Sequence, residues 1–229
     1  MYRRALVSGG ASGIGYAIAS KFNSEGVKTA IADINFPQPL PTGLYSSLCN
    51  IASGSEVDRL FSELHTSFGL PDIIVCNAGI GIHEKLTEGD PEKWATVINT
   101  NLMGSLRLIR AFVPSVPENM KCDVVFISSV SAGKTYPYGG IYSATKCALE
   151  TIAETLRVEE PGIRVTTVAP GVTETNFFKN TISGSREVDE NGWGAISPEE
   201  VANTVYYAIS RPHGVSVNHI TLRPTLQTF

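Results

Sequence analysis

Short apolar runs alternate with segments of helical period along almost the whole sequence. The apolar runs predict strands at residues 4–8, 27–32, 44–48, 73–76, 124–127, 163–168 and 215–222. Helical spacing or a strong helix start marks residues 14–22, 55–68, 91–112, 141–156 and the stretch from Ser197 onward. Strands that alternate with helices pair in parallel through right-handed crossovers. The sequence therefore predicts an α/β fold with a doubly wound parallel sheet.

The size and charge of the chain limit the classes of function that it could have. Its 229 residues are enough for one substantial core, so we expect a single domain over residues 1–229. The formal net charge of −4 and the scattered Lys and Arg residues disfavour nucleic-acid binding. No stretch has the length of a signal-peptide core or a membrane span. We expect a cytoplasmic protein that binds neither nucleic acid nor membrane.

The cysteines give no sign of a metal site. They are Cys49, Cys76, Cys122 and Cys147, all far apart in the sequence. None belongs to a C-x-x-C pair, and no His lies nearby at the spacing of metal ligands. We interpret them as reduced thiols, mostly packed inside, and predict that no metal is bound.

A glycine-rich turn joins the first strand to the first helix. Gly9, Gly13 and Gly15 permit a tight turn and let backbone N–H groups approach a pyrophosphate at the helix N-terminus. Their spacing is G-x-x-x-G-x-G rather than G-x-G-x-x-G. A purely structural turn would explain the same glycines, so the turn alone leaves both interpretations open.

Asp33 stands at the end of the second strand. A carboxylate there accepts hydrogen bonds from an adenosine ribose and repels a 2′-phosphate. No Arg or Lys occupies positions 8–15 or 34–36, which favours NAD over NADP as the cofactor. The alternative interpretation of Asp33 is a solvated loop carboxylate.

Tyr142 and Lys146 lie four residues apart in a helical segment. On a helix this spacing places both side chains on one face, one turn apart. A positive charge in that position would lower the pKa of the phenol from about 10 and suit it to acid–base chemistry. Ser129 ends the preceding strand. An exposed helix pair and a satisfied strand-end hydroxyl are the alternatives for these residues.

Polar or turn-forming residues follow several of the predicted strands. In doubly wound sheets, ligands lie beyond the carboxyl ends of the strands at the topological switch point. The glycine turn, Asn77, Ser129 and Pro170 all follow strands, so one cleft could collect them. Asn77-Ala78-Gly79 is equally explained as an ordinary turn. Residues 173–194 have no hydrophobic period, and we expect a long, mobile loop there.

Taken together, the motifs resemble the short-chain dehydrogenase/reductase family over essentially the whole chain. The matching residues are S-G-G-A-S-G-I-G (8–15), Asp33, N-A-G (77–79), N-T-N (99–101), I-S-S (127–129), Y-S-A-T-K (142–146) and P-G-V-T-E-T (170–175). The resemblance implies a three-layer Rossmann fold with a seven-stranded parallel sheet, on the short, single-domain branch of the family. It also implies assembly into a homodimer or homotetramer.

The resemblance assigns roles to individual residues. Tyr142 is implied as general acid/base, Lys146 as the group that lowers its pKa and holds the nicotinamide ribose, Ser129 as the group that orients the reacting oxygen, and Asn101 as support for a water relay. The expected cofactor-binding residues are Gly9, Ser12, Gly13, Ile14, Gly15, Asp33, Asn50, Ile51, Asn77, Ala78, Gly79, Tyr142, Lys146, Pro170, Gly171, Thr173 and Thr175. The expected substrate residues are Ser129, Ser131, Tyr136, Tyr138 and Tyr142, with a substrate loop at about 171–196.

The implied activity is hydride transfer between NAD(H) and a small alcohol or carbonyl substrate. Asn50 stands where the family usually has an acidic residue that contacts the adenine amino group. The stretch VNHITLRPTLQ resembles a subgroup of NADP-using hydroxy-acid oxidoreductases, whose cofactor Asp33 contradicts. One alternative function is a non-catalytic, dinucleotide-sensing regulator or scaffold. Another, a sugar-nucleotide epimerase, would need more chain after Pro170.

Overall fold

The predicted apolar runs lie side by side in one sheet. The computed structural model describes residues 3–38, 42–117, 120–134, 136–184, 192–212 and 214–228. All strand pairs are parallel, and the seven strands lie in the order β3-β2-β1-β4-β5-β6-β7. They are β1 (Arg4–Ser8), β2 (Lys28–Asp33), β3 (Tyr45–Leu48), β4 (Ile73–Cys76), β5 (Cys122–Ile127), β6 (Ile163–Pro170) and β7 (His219–Leu222). The predicted seven-stranded parallel sheet is confirmed.

Helices cover both faces of this sheet. They are α1 (Gly13–Ser24), α2 (Gly54–Ser67), α3 (Pro91–Ile98), α4 (Gly104–Phe112), α5 (Gly140–Glu159) and α6 (Pro198–Ile209). Among the described residues, no helix has an apolar stretch long enough to cross a lipid bilayer. The predicted helix start at Ser197 is confirmed, because its side chain accepts a hydrogen bond from the backbone N–H of Glu200.

Side-chain alternation along the strands divides the core into two layers. Leu6 of β1 packs in a cluster with side chains of α2, α4 and α5. Its neighbours Ala5 and Val7 point to the other face and pack with α1 and α6. The central strands are therefore apolar on both faces, as is typical of parallel sheets. This arrangement is the three-layer Rossmann fold expected from the sequence.

Strand order reverses at the centre of the sheet. From β1 the chain passes outward to β2 and β3, then returns to the opposite side of β1 as β4. The loops that follow β1 and β4 diverge at this point and leave a crevice at the carboxyl edge of the sheet.

The predicted helix at residues 91–112 is interrupted. α3 ends at Ile98, a π-helical turn occupies Asn99–Met103, and α4 begins at Gly104. A single π turn adds a residue to the helical ring without breaking the apolar period, so hydrophobic spacing alone does not reveal it. The turn lies directly beside the candidate site, where such turns are frequent.

The last strand is shorter than predicted. Residues 215–222 were expected to pair, but β7 begins at His219. The N–H of Val215 donates to the carbonyl oxygen of Pro212 in a turn, 2.9 Å away. The Val217 carbonyl accepts a hydrogen bond from the Thr166 hydroxyl instead of a backbone N–H. A turn and a side chain therefore use the backbone groups that an earlier strand start would need.

The cysteines behave as the sequence suggests. Cys49, Cys76 and Cys122 are buried, Cys147 is exposed, and none forms a disulfide. Burial raises the pKa of the Cys49 thiol to about 11 and that of both Cys76 and Cys122 to about 12. The three buried groups are therefore protonated at neutral pH and act as apolar packing.

An ion cluster closes the amino edge of the sheet. The buried Asp123 carboxylate lies 2.6 Å from both Arg3 Nη1 and Arg164 Nη2. Arg164 also donates to the carbonyl oxygens of Ile209 and Arg211, at 2.6 and 3.0 Å. The guanidinium therefore ties the end of α6 to strands β5 and β6.

Replacing Arg164 with Met should lower the free energy of unfolding by about 3–5 kcal/mol, because a buried carboxylate loses one of its two partners. Urea denaturation followed by circular dichroism measures the change. Lys85→Met is the control, since it breaks only the exposed pair with Glu88 and should cost less than about 0.5 kcal/mol. Equal losses in the two variants would contradict a stabilising role for the buried cluster.

Candidate active site

A cavity of about 530 Å³ opens at the carboxyl edge of the sheet. Its lining contains most of the residues that the sequence proposed for a site. These are Gly9, Ser12, Gly13, Ile14, Gly15, Asp33, Asn50, Ile51, Asn77, Ala78, Gly79, Ser129, Ser131, Tyr136, Tyr142, Lys146, Pro170, Gly171, Thr173 and Thr175. Two proposed residues, Asn101 and Tyr138, lie outside this lining.

The glycine turn requires glycine for steric reasons. Gly9 has a φ of +64°, and a Cβ there would lie 2.8 Å from the Cα of Ala78. A Cβ on Gly15 would lie 2.1 Å from the carbonyl oxygen of Gly9. The turn leads into the N-terminus of α1, where the Ser12 side chain forms no capping hydrogen bond. Backbone N–H groups at such a helix end suit the pyrophosphate of a dinucleotide.

Ser8 and Asn77 fasten this turn to the neighbouring strand. The Asn77 side chain donates to the carbonyl oxygens of Ser8 and Gly9, at 2.8 and 3.1 Å. The buried Ser8 hydroxyl accepts from the backbone N–H groups of Asn77 and Ala78, at 3.0 and 3.1 Å. It also donates to the Val75 carbonyl. Sequence reasoning included Ser8 in the motif at residues 8–15 but gave it no role in the site, although a polar residue ending an apolar run before glycine was the available signal.

Asp33 is held against the glycine turn. Its Oδ2 accepts from the Ala11 N–H at 3.0 Å, and its Oδ1 accepts from the Ile34 N–H at 2.8 Å. Oδ1 also accepts from the Asn35 N–H at 3.4 Å, whereas Oδ2 has further acceptor capacity and can bind a ribose hydroxyl as well. The structure therefore brings Asp33 and the glycines to the same end of the cavity.

Asn50 and Ile51 form the wall at that end. The Asn50 side-chain oxygen accepts from the Ala52 N–H at 3.0 Å. The Ile51 side chain is buried, and a Cβ on Gly104 would lie 2.6 Å from its Cδ1. Asn50 therefore presents polar groups to the cavity, whereas Ile51 mainly packs against α4.

The proposed catalytic side chains meet at the opposite end. Lys146 is buried, its Nζ donates to the Ile127 carbonyl at 2.8 Å, and it lies 5.7 Å from the centroid of the Tyr142 ring. Ser129 caps the turn after β5, where its hydroxyl accepts from the Ser131 N–H at 3.2 Å. A phenol, an ammonium group and a hydroxyl therefore surround one point beside the cavity.

Burial dominates the proton equilibria of this group. It raises the pKa of Tyr142 above its ordinary value, Tyr136 raises that pKa further, and a hydrogen bond with Ser129 lowers it. Burial also lowers the pKa of Lys146 to about 8, opposed by Cys76. The pKa of Tyr142 is therefore raised in this structure, whereas the sequence led us to expect a lowered one, because desolvation of the phenol dominates.

Asn101 is buried beside the cavity and hydrogen-bonds to two neighbouring segments of the chain. It is 1% exposed; its Oδ1 accepts from the Ile80 N–H at 2.8 Å, and its Nδ2 donates to the Ile80 carbonyl at 3.0 Å. The same Nδ2 donates to the Thr145 hydroxyl at 3.2 Å. Asn101 therefore joins the segment after β4 to α5, which carries the proposed catalytic tyrosine. A water relay through Asn101 stays a prediction.

Aromatic side chains form the end of the cavity near Tyr142. Phe177 lies 5.5 Å from the Tyr142 ring, centroid to centroid, and Phe178 packs edge-on against Phe177 at 5.7 Å. His83 lies 6.2 Å from the Tyr136 ring. Phe177 and Phe178 belong to the substrate loop expected at about 171–196, whereas sequence reasoning did not single out His83, because nothing in its local pattern links it to Tyr142.

Tyr138 is not part of this wall. Its side chain is 52% exposed, and its carbonyl oxygen accepts from the Glu84 N–H at 3.0 Å. Its φ of +68° turns the chain just before α5 begins. The prediction that Tyr138 contacts the substrate is therefore corrected: it shapes the backbone beside the cavity.

The described part of the substrate loop is anchored. The Ile182 N–H donates to the Gly81 carbonyl at 2.9 Å, and the His83 N–H donates to the Ser183 carbonyl at 3.0 Å. Thr173 forms a parallel bridge with Ile196 at the root of the loop. The described flanks of the predicted loop are therefore hydrogen-bonded to neighbouring segments, and the mobility of the loop stays a prediction. Residues 185–191, which fall within the predicted loop, lie outside the described residues.

Comparison with known proteins assigns the family. A model of the family described as short chain dehydrogenase matches residues 3–185. The chain belongs to the short-chain dehydrogenase family. An uncharacterized oxidoreductase of Staphylococcus aureus (strain MW2) is 31% identical to it over 229 residues, with 96% of each chain covered. The protein is accordingly an oxidoreductase, and members of this family act on small-molecule substrates.

Two solved structures of dehydrogenases are similar throughout. An alcohol dehydrogenase from the archaeon Thermococcus sibiricus, complexed with 5-hydroxy-NADP, is 25% identical with a TM-score of 0.87, covering 99% of this chain and 98% of that chain. A serine dehydrogenase complexed with NADP⁺ is 26% identical with a TM-score of 0.89, covering 99% and 96%. These related proteins bind a nicotinamide dinucleotide.

The Lys146 amine should make stability depend on pH. Its pKa is about 8 in the folded chain against an ordinary 10.5, so between these values the unfolded state holds more protons. Stability should therefore rise from pH 8 toward 10.5, by an amount on the order of 3 kcal/mol for this group. Urea unfolding of the parent protein and Lys146→Met at pH 7 to 10 tests this. The variant should lack that rise, and matching slopes would contradict a depressed pKa.

Proposed function

We propose that this protein is an NAD(H)-dependent alcohol dehydrogenase or carbonyl reductase for small substrates. The observation that carries the proposal is one cavity with two different ends. At one end lie the glycine turn and Asp33, and at the other lie Ser129, Tyr142 and Lys146. A dinucleotide bound along the cavity would bring a hydride donor to the acid–base group.

The proposed reduction uses Tyr142 as the general acid. Its raised pKa keeps the phenol protonated, so it can give its proton to a carbonyl oxygen as that oxygen gains charge. Ser129 donates a hydrogen bond to the same oxygen, and the Lys146 ammonium stabilises the phenolate that remains. The nicotinamide cofactor, when bound, supplies the hydride that adds to the carbonyl carbon. Alcohol oxidation runs through the same groups in reverse.

The preference for NAD over NADP rests on charge. The Asp33 carboxylate would repel a 2′-phosphate, and the related structures with NADP do not decide the cofactor of this chain. Among the described residues that line the cavity, Lys146 is the only lysine and no arginine is present. Lys146 is tied to the Ile127 carbonyl at the far end, so it is poorly placed to bind that phosphate.

The wall near Tyr142 favours an uncharged substrate. Phe177, Phe178 and Tyr136 supply apolar surface there, and Ser131 and His83 supply polar groups. A carboxylate substrate would bury its charge without a dedicated cation among the described lining residues, which costs free energy. Assembly into a homodimer or homotetramer and a cytoplasmic location stay predictions from the sequence.

Tyr142→Phe should lower kcat by at least about 10²-fold, because the phenol is the proposed proton donor. NADH oxidation is first screened against hydroxy acids, sugars, steroids, acyl thioesters and their carbonyl counterparts. NADH affinity, measured by fluorescence titration, should stay within about two-fold. The control is Tyr138→Phe, since Tyr138 is exposed and outside the cavity lining. A fully active Tyr142→Phe enzyme would contradict the mechanism. If the parent protein binds NADH but turns over none of the compounds, the alternative of a dinucleotide-sensing regulator would be favoured.

Asp33→Asn should reduce the preference for NAD over NADP by about ten-fold, because the negative charge is lost while one side-chain acceptor for Ala11 is kept. The ratio of kcat/KM values for NAD and NADP measures the effect. Asp58→Asn is the matched control, since Asp58 is an exposed carboxylate on α2. An unchanged ratio in Asp33→Asn would remove Asp33 from cofactor selection.

A further inference from the structure

Gln227 is a buried amide in an exposed tail. After β7 the chain passes through Pro224, and the neighbouring Leu226 side chain is 67% exposed. Gln227, in contrast, is 4% exposed and lines the cavity. Burying a primary amide is unfavourable unless it forms hydrogen bonds. Its position therefore depends on specific partners inside the site.

The partner of Gln227 is the chain segment that leaves β6. Its side-chain Oε1 accepts from the Val172 N–H at 3.0 Å. A Cβ on Gly171 would lie 2.1 Å from that same oxygen, so only glycine at this position lets the amide approach. The tail is itself shaped for the contact, because the Gln227 N–H donates to the Pro224 carbonyl at 3.0 Å in a turn.

The segment held by Gln227 spans the two ends of the cavity. Beyond Val172, Thr175 approaches the glycine turn, with its Cγ2 3.3 Å from where a Cβ of Gly13 would lie. Phe177, two residues further, packs against the Tyr142 ring. The Val172 carbonyl accepts from the Ile196 N–H at 3.0 Å, so both polar groups of this residue are used. Gln227 thus fixes the start of the segment 172–177, which lies between the glycine turn and the proposed catalytic tyrosine.

We propose that Gln227 is a positioning residue for the nicotinamide end of the cofactor, acting through the Gly171–Val172 backbone. The inference rests on the proposed function, because it needs a dinucleotide in the cavity. Gln227 takes no part in proton or hydride transfer. Its amide holds residues 172–177 in place, and the position of these residues sets how closely the nicotinamide ring can approach the substrate carbon.

The key variant is Gln227→Met, which keeps the length of the side chain and removes the acceptor. We expect the dissociation constant of NADH to rise about ten-fold and kcat to fall by a similar factor, as is typical for loss of a buried hydrogen bond. The deuterium isotope effect on kcat with 4-deuterated NADH should increase, because hydride transfer becomes slower. The KM for the carbonyl substrate should change less than the KM for NADH.

Two further variants separate positioning from folding. Gln227→Glu keeps an acceptor for the Val172 N–H and should recover part of the NADH affinity. Leu226→Ala shortens the exposed neighbour and should leave binding and rate unchanged. A loss of thermal stability in Gln227→Met with NADH affinity, kcat and isotope effect within about two-fold of the parent would overturn the proposal and leave only a structural role.

The outcome also distinguishes this inference from the proposed function. If the parent protein binds NADH but turns over no carbonyl compound, the catalytic proposal fails. The NADH titrations of Gln227→Met then still test whether Gln227 contributes to cofactor binding. If the parent is active and Gln227→Met is kinetically indistinguishable from it, the inference fails alone. Hydrogen exchange adds a second check. Faster backbone exchange of residues 223–228 on NADH binding would show that the contact between Gln227 and Val172 opens when the cofactor binds, which would contradict the proposal.

Discussion

Burial of the central strands on both faces is the constraint on which the rest of the structure depends. Strands β4 and β5 are buried throughout, and β1 and β6 expose only their first residues slightly. Apart from a few hydroxyls such as those of Thr166 and Thr167, polar side chains of the central strands therefore lie near the strand ends. At the carboxyl edge they form the cavity, and at the amino edge they form the cluster around Asp123. The placement of polar groups near strand ends thus produces the cavity at one edge of the sheet and a stabilising ion cluster at the other.

Buried hydrogen bonds between distant segments hold the cavity open in one shape. Ser8 joins β1 to β4, Asn101 joins the segment after β4 to α5, and Gln227 joins the tail to the exit of β6. Each amide or hydroxyl is almost fully buried, so leaving its partner unsatisfied would cost more than the bond itself contributes. The cavity is therefore specified by a few polar contacts rather than by the apolar core, which only requires that the layers pack.

Local pattern was enough for most of the helices and strands, and the family resemblance supplied most of the expected residues that line the cavity. β1 and β4 have the bounds that their apolar runs predict, and the glycine turn lies where strand and helix meet. What the pattern could not supply depends on tertiary contacts. The π turn at Asn99–Met103 keeps the helical period, the contact of Phe177 with Tyr142 joins a loop to helix α5, and the pairing of Gln227 with Val172 spans 55 residues. Tyr138 was misplaced because a backbone turn, invisible in residue type, points it outward.

The raised pKa of Tyr142 and the nearby amine of Lys146 are consistent with the proposed chemistry once ground state and transition state are separated. The ammonium interacts weakly with a neutral phenol but strongly with a phenolate, and the difference is larger in a buried site than in water. Lys146 is already held by the Ile127 carbonyl, 5.7 Å from the ring centre, so little reorganisation is needed as charge develops on Tyr142. Burial then keeps the proton on Tyr142 until a carbonyl oxygen can accept it, and the amine favours the step that removes it. In that arrangement Lys146 offsets part of the cost of forming a buried phenolate, and burial still keeps the net pKa of Tyr142 above its ordinary value.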